Sequence, residues 1–298
     1  MGGPGSERDV SLATGRGGSK ALRSLGADVV DVDVHDENFP LSKDIDLAFI
    51  TIHGTFGEDG QLQKILEDRG VAYTGDGIEA SRVSFDKILS KEKFREHNIA
   101  TPEWEVIEAG QRPTISIPLV VKPARQGSTV GVVIVKNANE LDSALKEAGK
   151  YDRKLLIEKF VSGRELTIGV LGDLALPILE IIPKGGFYDF NNKYPFLNPQ
   201  GGGGAEHVCP AKIEPHKTKE IQAEALRAFR ALGLVVYGRV DILLSGTGHL
   251  FVLEVNTIPG MTEASLLPEA AAAAGINYVD LCARIIALSR ARTERSRK

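Results

Sequence analysis

Apolar and polar positions along the chain switch between two periods. "ADVVDVDV" (27–34) and "DLAFITI" (46–52) predict strands, the second an almost unbroken apolar run suited to a sheet covered on both faces. "GQLQKILEDRG" (60–70) repeats at helical spacing, with Leu62, Ile65 and Leu66 on one face and Gly70 as its stop. "SFDKILSKEKFREHN" (84–98) predicts a further amphipathic helix, ended before Pro102. Strand, helix and strand in succession predict an open α/β unit at the N-terminal end. The pattern then shortens. "PLVVKPA" (118–124), "VGVVIVK" (130–136), "KLLIEKF" (154–160) and "RELTIGVLG" (164–172) predict strands around one helix, "NELDSALKEAG" (139–149), a small α+β unit. "YGRVDILL" (237–244) and "HLFVLEV" (249–255), joined by "SGTG", predict an antiparallel hairpin. Helices are predicted at 262–274 and 277–290, and the polar tail "SRARTERSRK" is expected to fray.

Composition narrows this little. With 298 residues the chain has room for two or three domains, and 42% apolar with 26% charged residues is ordinary for a globular protein. A net charge of −4 gives no reason to expect nucleic acid or a membrane as partner. No apolar run approaches the roughly 18 residues that span a bilayer, and the start "MGGPGSERDV" has no signal-peptide core. Two cysteines, Cys209 and Cys282, make neither a disulfide framework nor a Cys-rich zinc site. A cytoplasmic protein is expected.

The hairpin carries the first candidate chemistry. Side chains two apart on a strand share a face, so Glu254 and Asn256 project together, as do Arg239 and Asp241. If the strands pair, two carboxylates, an amide and a guanidinium occupy one patch. Such oxygen donors suit Mg²⁺, and the guanidinium suits a phosphate or developing negative charge. A solvated salt-bridge cluster fits the spacing too. In "VVKPARQGSTVG", Lys122 ends an apolar strand before the Gly127-Ser128-Thr129 turn, a form that can offer N–H groups to phosphate. "IEKFVSGRE" adds Glu158, Lys159 and Glu165, equally an exposed hairpin rim. "GGFYDFNNKYPFLNPQGGGGAEHVCP" (185–210) is expected to be a lid, with aromatic anchors beside a Gly run.

Taken in order, "GGPGSERDVS", "HGTFGEDG", "YTGDGIEAS", "DK" at 86–87, "VVKPARQGSTVG", "IEKFVSGRE", "FYDFNNKY", "GRVDIL" and "LEVNTIPGMTEASLLP" resemble the D-alanine–D-alanine ligases of the ATP-grasp superfamily. The resemblance covers nearly the whole chain. It implies a three-domain ATP-grasp fold, α/β and α+β: an open α/β substrate domain over 1–86, a central domain over 87–166, and a C-terminal domain over 167–298 with the Mg²⁺ site and the lid. In relatives an apolar strand precedes the "GG" loop, whereas this sequence opens at that loop. The first sheet is therefore expected to lack its usual first strand, or the true start to lie upstream.

Residue roles follow from the same resemblance. Lys87, Lys122 and Lys193 would contact ATP phosphates. Glu158, Lys159, Phe160 and Val161 would lie along adenine, Glu165 at the ribose and Phe187 against the adenine pocket. Asp241, Glu254 and Asn256 would bind two Mg²⁺ (or Mn²⁺). Glu7, linked to Ser128 and Tyr194, would orient the ammonium of the first D-alanine near His53. Arg239 and the Gly260 N–H would stabilise the oxyanion, while Ser265 and the Leu266 N–H would receive the second carboxylate. Tyr194 favours D-alanine over D-lactate as second substrate. A homodimer is the expected assembly. The alternatives are an ATP-grasp carboxylate–amine ligase of other specificity, such as D-Ala–D-lactate, or an ATP-binding paralogue inactivated by the short N-terminus.

Overall fold

A computed structural model describes residues 1–183, 204–262 and 264–296. The N-terminal third differs from the predicted pattern. Segments 27–34 and 46–52 do not form ladders; they keep isolated parallel bridges, Gly2 to Val34 and Ala48 to Tyr73. For the second segment, part of the cause lies in where its donors go. Ile50 N–H is taken by the Thr74 hydroxyl at 2.9 Å and His53 N–H by the Ser11 hydroxyl at 3.0 Å, so side chains replace neighbouring strands. Met1 to Gly3 runs beside residues 32–34, with Val34 N–H donating to Met1 O at 3.0 Å and Gly3 N–H to Val34 O at 2.7 Å. Helices α1 (Arg8–Ser24) and α2 (Gln61–Asp68) flank a core of Val34, Ile50, Ile52, Leu62, Leu66 and Tyr73.

The helix predicted over 84–98 is α4 (Lys87–Glu96), while its first two residues end a separate helix, α3 (Ile78–Phe85). Asp86 between them is extended, and its Oδ1 accepts from the N–H groups of Ile88 and Leu89. A side-chain N-cap of this kind stops one helix and starts the next.

An antiparallel four-stranded sheet follows, built from β1 (Trp104–Glu108), β2 (Leu119–Pro123), β3 (Val133–Val135) and β4 (Lys154–Lys159) in the order β1-β4-β2-β3. Helix α5 (Leu141–Ala148) covers one face through Leu141, Ala144, Leu145 and Ala148.

A six-stranded antiparallel sheet holds β5 (Gly163–Leu171), β6 (Leu174–Ala175), β7 (Leu179–Pro183), β8 (Ala205–Val208), β9 (Tyr237–Ser245) and β10 (Leu250–Asn256). Its main path runs β10-β9-β5-β7-β8. Helix α6 (Pro215–Ala231) packs Ile221, Ala225, Ala228 and Phe229 against Leu166, Ile168, Val170, Val240 and Ile242. The opposite face carries Thr167, Gly169, Arg239 and Asp241, with Leu267 of α7 (Leu266–Ala273) packed over Gly169. The C-terminal helix α8 (Tyr278–Ser296) continues through most of the tail expected to fray. Arg292 anchors it, its guanidinium 4.2 Å from the Tyr73 ring centroid and donating to Gly75 O at 2.8 Å. Of the expected lid, its C-terminal end is strand β8, paired with β7; residues 185–203 lie outside the described residues. Among the described residues no single helix is long and apolar enough to cross a membrane.

Phe229, with no exposed surface, ties α6 to the sheet. Phe229→Ala is expected to cost about 3–5 kcal/mol of unfolding free energy, read as a lower urea midpoint at unchanged slope.

Candidate active site

The predicted hairpin forms, and its register answers whether the polar faces meet. Glu254 is opposite Asp241, and Asn256 is opposite Arg239. Simple alternation would have failed, because Val252 is buried and Glu254 stands two residues on. The register shifts between Val252 and Glu254, leaving Leu253 as an extra residue, and this β-bulge moves Glu254 onto the polar face.

Asp241 is the centre of the patch. Its Oδ1 accepts from Thr167 Oγ1 at 2.6 Å and Arg239 Nε at 2.9 Å; its Oδ2 accepts from Arg239 Nη2 at 2.9 Å and Asn256 Nδ2 at 3.1 Å. With its amide nitrogen turned to Asp241, Asn256 keeps its oxygen as the atom that could serve as a ligand. Two carboxylates and one amide oxygen on neighbouring strands fit a hard divalent cation that retains water and phosphate ligands.

Lys87 connects this patch to the small sheet. As the first residue of α4 after the Asp86 cap, it donates through Nζ to Gln126 O at 2.6 Å and lies 3.6 Å from Glu254 Oε2. Gln126 thus contributes a backbone carbonyl here, whatever its side chain. Lys122, on β2, pairs with Glu158 Oε2. The Glu158 side chain, 2% exposed, is engaged with that lysine and with Lys91. Burial pushes the Glu158 carboxyl up, and the two ammonium groups outweigh it, holding it down at about 2. Phe160 and Val161, both half-buried, belong to the connection between β4 of the small sheet and β5 of the large one. Glu165 is half-buried on β5. The Lys159 ammonium is directed away to Ser116, donating to its carbonyl at 2.8 Å and its hydroxyl at 2.9 Å.

A second cluster lies at the N-terminal end. Glu7, 6% exposed, points its carboxylate toward the backbone of Gly54 and Gly127. Ser128 and Thr129 follow at φ 51 and 63, a left-handed conformation uncommon outside glycine and concentrated at ligand-binding turns. His53, 3% exposed, donates through Nδ1 to Ile258 O at 2.8 Å, and its Nε2 meets Thr14 Oγ1 at 2.9 Å. Burial opposes charge on this ring, but Glu58, Glu7 and the Ile258 carbonyl outweigh it and raise the pKa. His53 therefore ties α1 to the loop after β10. On that loop a Cβ at Gly260 would stand 2.9 Å from Ser265 Oγ, so the Gly260 N–H and the start of α7 adjoin. Ser265 is the N-cap of α7 and Leu266 its first residue; the helix starts there, not at 262.

Phe187, Lys193 and Tyr194 lie outside the described residues. The sequence reading missed Lys91, Thr101 and Thr167. Lys91 had a signal: it stands four residues after Lys87 and three before Phe94, on the face α4 buries.

Comparison with known proteins shows the family. Residues 85–287 match the family described as D-ala D-ala ligase C-terminus, and residues 33–76 match D-ala D-ala ligase N-terminus. A D-alanine–D-alanine ligase of Methylacidiphilum infernorum is 45% identical over 288 residues, 97% of this chain and 93% of that one. The D-alanine–D-alanine ligase of Bacillus anthracis, solved in complex with ATP, superposes with a TM-score of 0.85 at 32% identity, over 99% of this chain and 97% of that one. The VanG D-Ala:D-Ser ligase of Enterococcus faecalis gives a TM-score of 0.85 at 25% identity, with 97% of each chain covered. The hairpin patch, the lysines beside it and the buried N-terminal glutamate thus sit on a backbone shared along nearly its whole length with these enzymes, and the chain belongs to the D-alanine–D-alanine ligase family, with the ATP-grasp fold.

Proposed function

We propose that the protein is an ATP-dependent ligase that joins two D-alanines into D-alanyl-D-alanine for peptidoglycan precursor synthesis. The observation that carries this is the convergence of Asp241, Glu254, Asn256 and Arg239 with Lys87, in a chain 45% identical to a ligase of that name. A carboxylate oxygen of the first D-alanine attacks the γ-phosphorus of ATP; the bond to the ADP oxygen breaks and D-alanyl phosphate forms. The amine of the second D-alanine then attacks the acyl carbon, loses a proton, and phosphate leaves.

Each described residue has a place in that sequence. Lys87 and Lys122 hold the phosphates, where positioning and charge supply most of the catalysis. Mg²⁺, when bound by Asp241, Glu254 and Asn256, would neutralise charge on the transferring phosphoryl group. Phe160, Val161 and Glu165 line the nucleotide end. Glu7 receives the first ammonium beside Ser128 and His53. Arg239 and the Gly260 N–H face the developing oxyanion, and the α7 N-terminus at Ser265 and Leu266 receives the second carboxylate. The three-domain division at residues 86 and 166, a homodimer and a cytoplasmic location belong to the same proposal.

The test is phosphate release from ATP and Mg²⁺ on adding D-alanine, with L-alanine, D-serine and D-lactate arms. Release with D-alanine alone, accompanied by the dipeptide, is the expected result. Release only when D-serine or D-lactate accompanies D-alanine would move the protein to another second substrate. A folded protein that binds ATP but releases nothing would overturn the reading.

A further inference from the structure

Lys91 is a charged side chain placed where charges are rarely found, 1% exposed inside α4. Its ammonium contacts Glu158 Oε1 and the Thr101 hydroxyl. From Glu158 the chain of contacts passes through the other carboxylate oxygen to Lys122. From Thr101 it passes to β10, since Thr101 Oγ1 donates to Val252 O at 2.7 Å. Val252 N–H donates to Ala100 O at 2.8 Å, so both backbone groups on the outer edge of β10 are held at this residue. The bulge that turns Glu254 onto the metal face begins at the very next position.

The charges do not cancel. Two ammonium groups surround one carboxylate, leaving an excess positive charge in a site where the side chains of Lys91 and Glu158 are 1% and 2% exposed and that of Lys122 is 13% exposed. The excess therefore reaches solvent at Lys122. A lone Lys122–Glu158 pair would be neutral and would compete with any incoming phosphate for the lysine. Lys91 removes that competition by sharing the carboxylate. Burial lowers the Lys91 pKa to about 8, opposed by the attraction of Glu158 and reinforced by the repulsion of Lys122.

We propose that Lys91 is a positioning residue for the ligase reaction: it shares Glu158 to keep the Lys122 charge available to ATP, and through Thr101 it fixes the bulge that presents Glu254. This rests on the assignment of Lys122 to the ATP phosphates, so Lys122→Met is the reference variant. The experiment is steady-state kinetics of Lys91→Met, Thr101→Val and Lys122→Met with ATP, D-alanine and Mg²⁺ each varied, alongside thermal unfolding. Lys91→Met is expected to raise KM for ATP about tenfold, as for loss of a hydrogen bond to a charged group, with KM for D-alanine within about twofold. Thr101→Val keeps the Lys91–Glu158 pair and is expected to raise the half-saturating Mg²⁺ concentration about threefold. A purely structural role would lower Tm and the active fraction without moving either constant. If Lys122→Met raises KM for ATP while a folded Lys91→Met does not, the positioning role is overturned and the assignment of Lys122 stands. If Lys122→Met leaves KM for ATP unchanged, the assignment of Lys122 falls and takes the proposal with it. Should Lys91→Met fail to fold, an unchanged Mg²⁺ requirement in Thr101→Val overturns the proposal by itself.

Discussion

Asp241→Asn is expected to lower kcat about a thousandfold and to raise the Mg²⁺ requirement, with the fold retained. The carboxylate accepts four hydrogen bonds, and every partner is a donor: Thr167 Oγ1 and Arg239 Nε at Oδ1, Arg239 Nη2 and Asn256 Nδ2 at Oδ2. An amide has one oxygen. Whichever way it is turned, its NH₂ confronts one Arg239 N–H, which cannot accept, so Arg239 must turn away, and either Asn256 must flip its amide or Thr167 must turn its hydroxyl to accept. The first rearrangement moves the Asn256 oxygen proposed as a metal ligand; both move the guanidinium proposed to meet the oxyanion. Loss of the negative charge adds to this by weakening the hold on a divalent cation. Thr167→Val is the control, since it deletes one hydrogen bond and leaves the charge, and about a tenfold loss at most is expected. Activity within tenfold of the parent in Asp241→Asn, at an unchanged Mg²⁺ half-saturation, would remove Asp241 from the metal site.

Local pattern was enough to read the hairpin and its polar face, because β9 alternates buried and half-buried positions from Gly238 to Ser245 without interruption. It was not enough to read the bulge. That depends on Ala100 and Thr101 capping the outer edge of β10, a contact more than 150 residues away in sequence. The same limit applies to the N-terminal strands. Residues 27–34 and 46–52 have strand composition and keep isolated parallel bridges, but in the second segment Thr74 satisfies the Ile50 donor that a ladder would use, and Ser11 does the same for the adjoining His53. Polar composition misled at the tail, where Arg292 packs on an aromatic ring and bonds to a backbone carbonyl. For Glu158 the family pattern located the residue, while its side-chain contacts required the structure. They depend on Lys91, which reads in sequence as one more solvated lysine of an amphipathic helix.

Glu7→Gln is expected to raise KM for the first D-alanine about a hundredfold while KM for ATP stays within about twofold, in line with removing one partner of a buried charge pair. The side chain keeps its size, so packing at the start of α1 changes little and the loss isolates charge. Glu7 is 6% exposed and, with Glu58, sustains the raised pKa of His53. Its neutralisation should therefore also lower that pKa, an effect visible by NMR titration of the ring. A second variant reaches the same site from the opposite side. A Cβ added at Gly127 would stand 2.7 Å from Glu7 Oε1, closer than real side chains tolerate, and the crowding falls on the carboxylate and on the strained Ser128–Thr129 turn. Gly127→Ala should thus reproduce the D-alanine defect with the Glu7 charge intact, but with a smaller change at His53. If both variants bind D-alanine within about threefold of the parent, Glu7 does not hold the ammonium, and its burial beside His53 serves only to join α1 to the loop after β10.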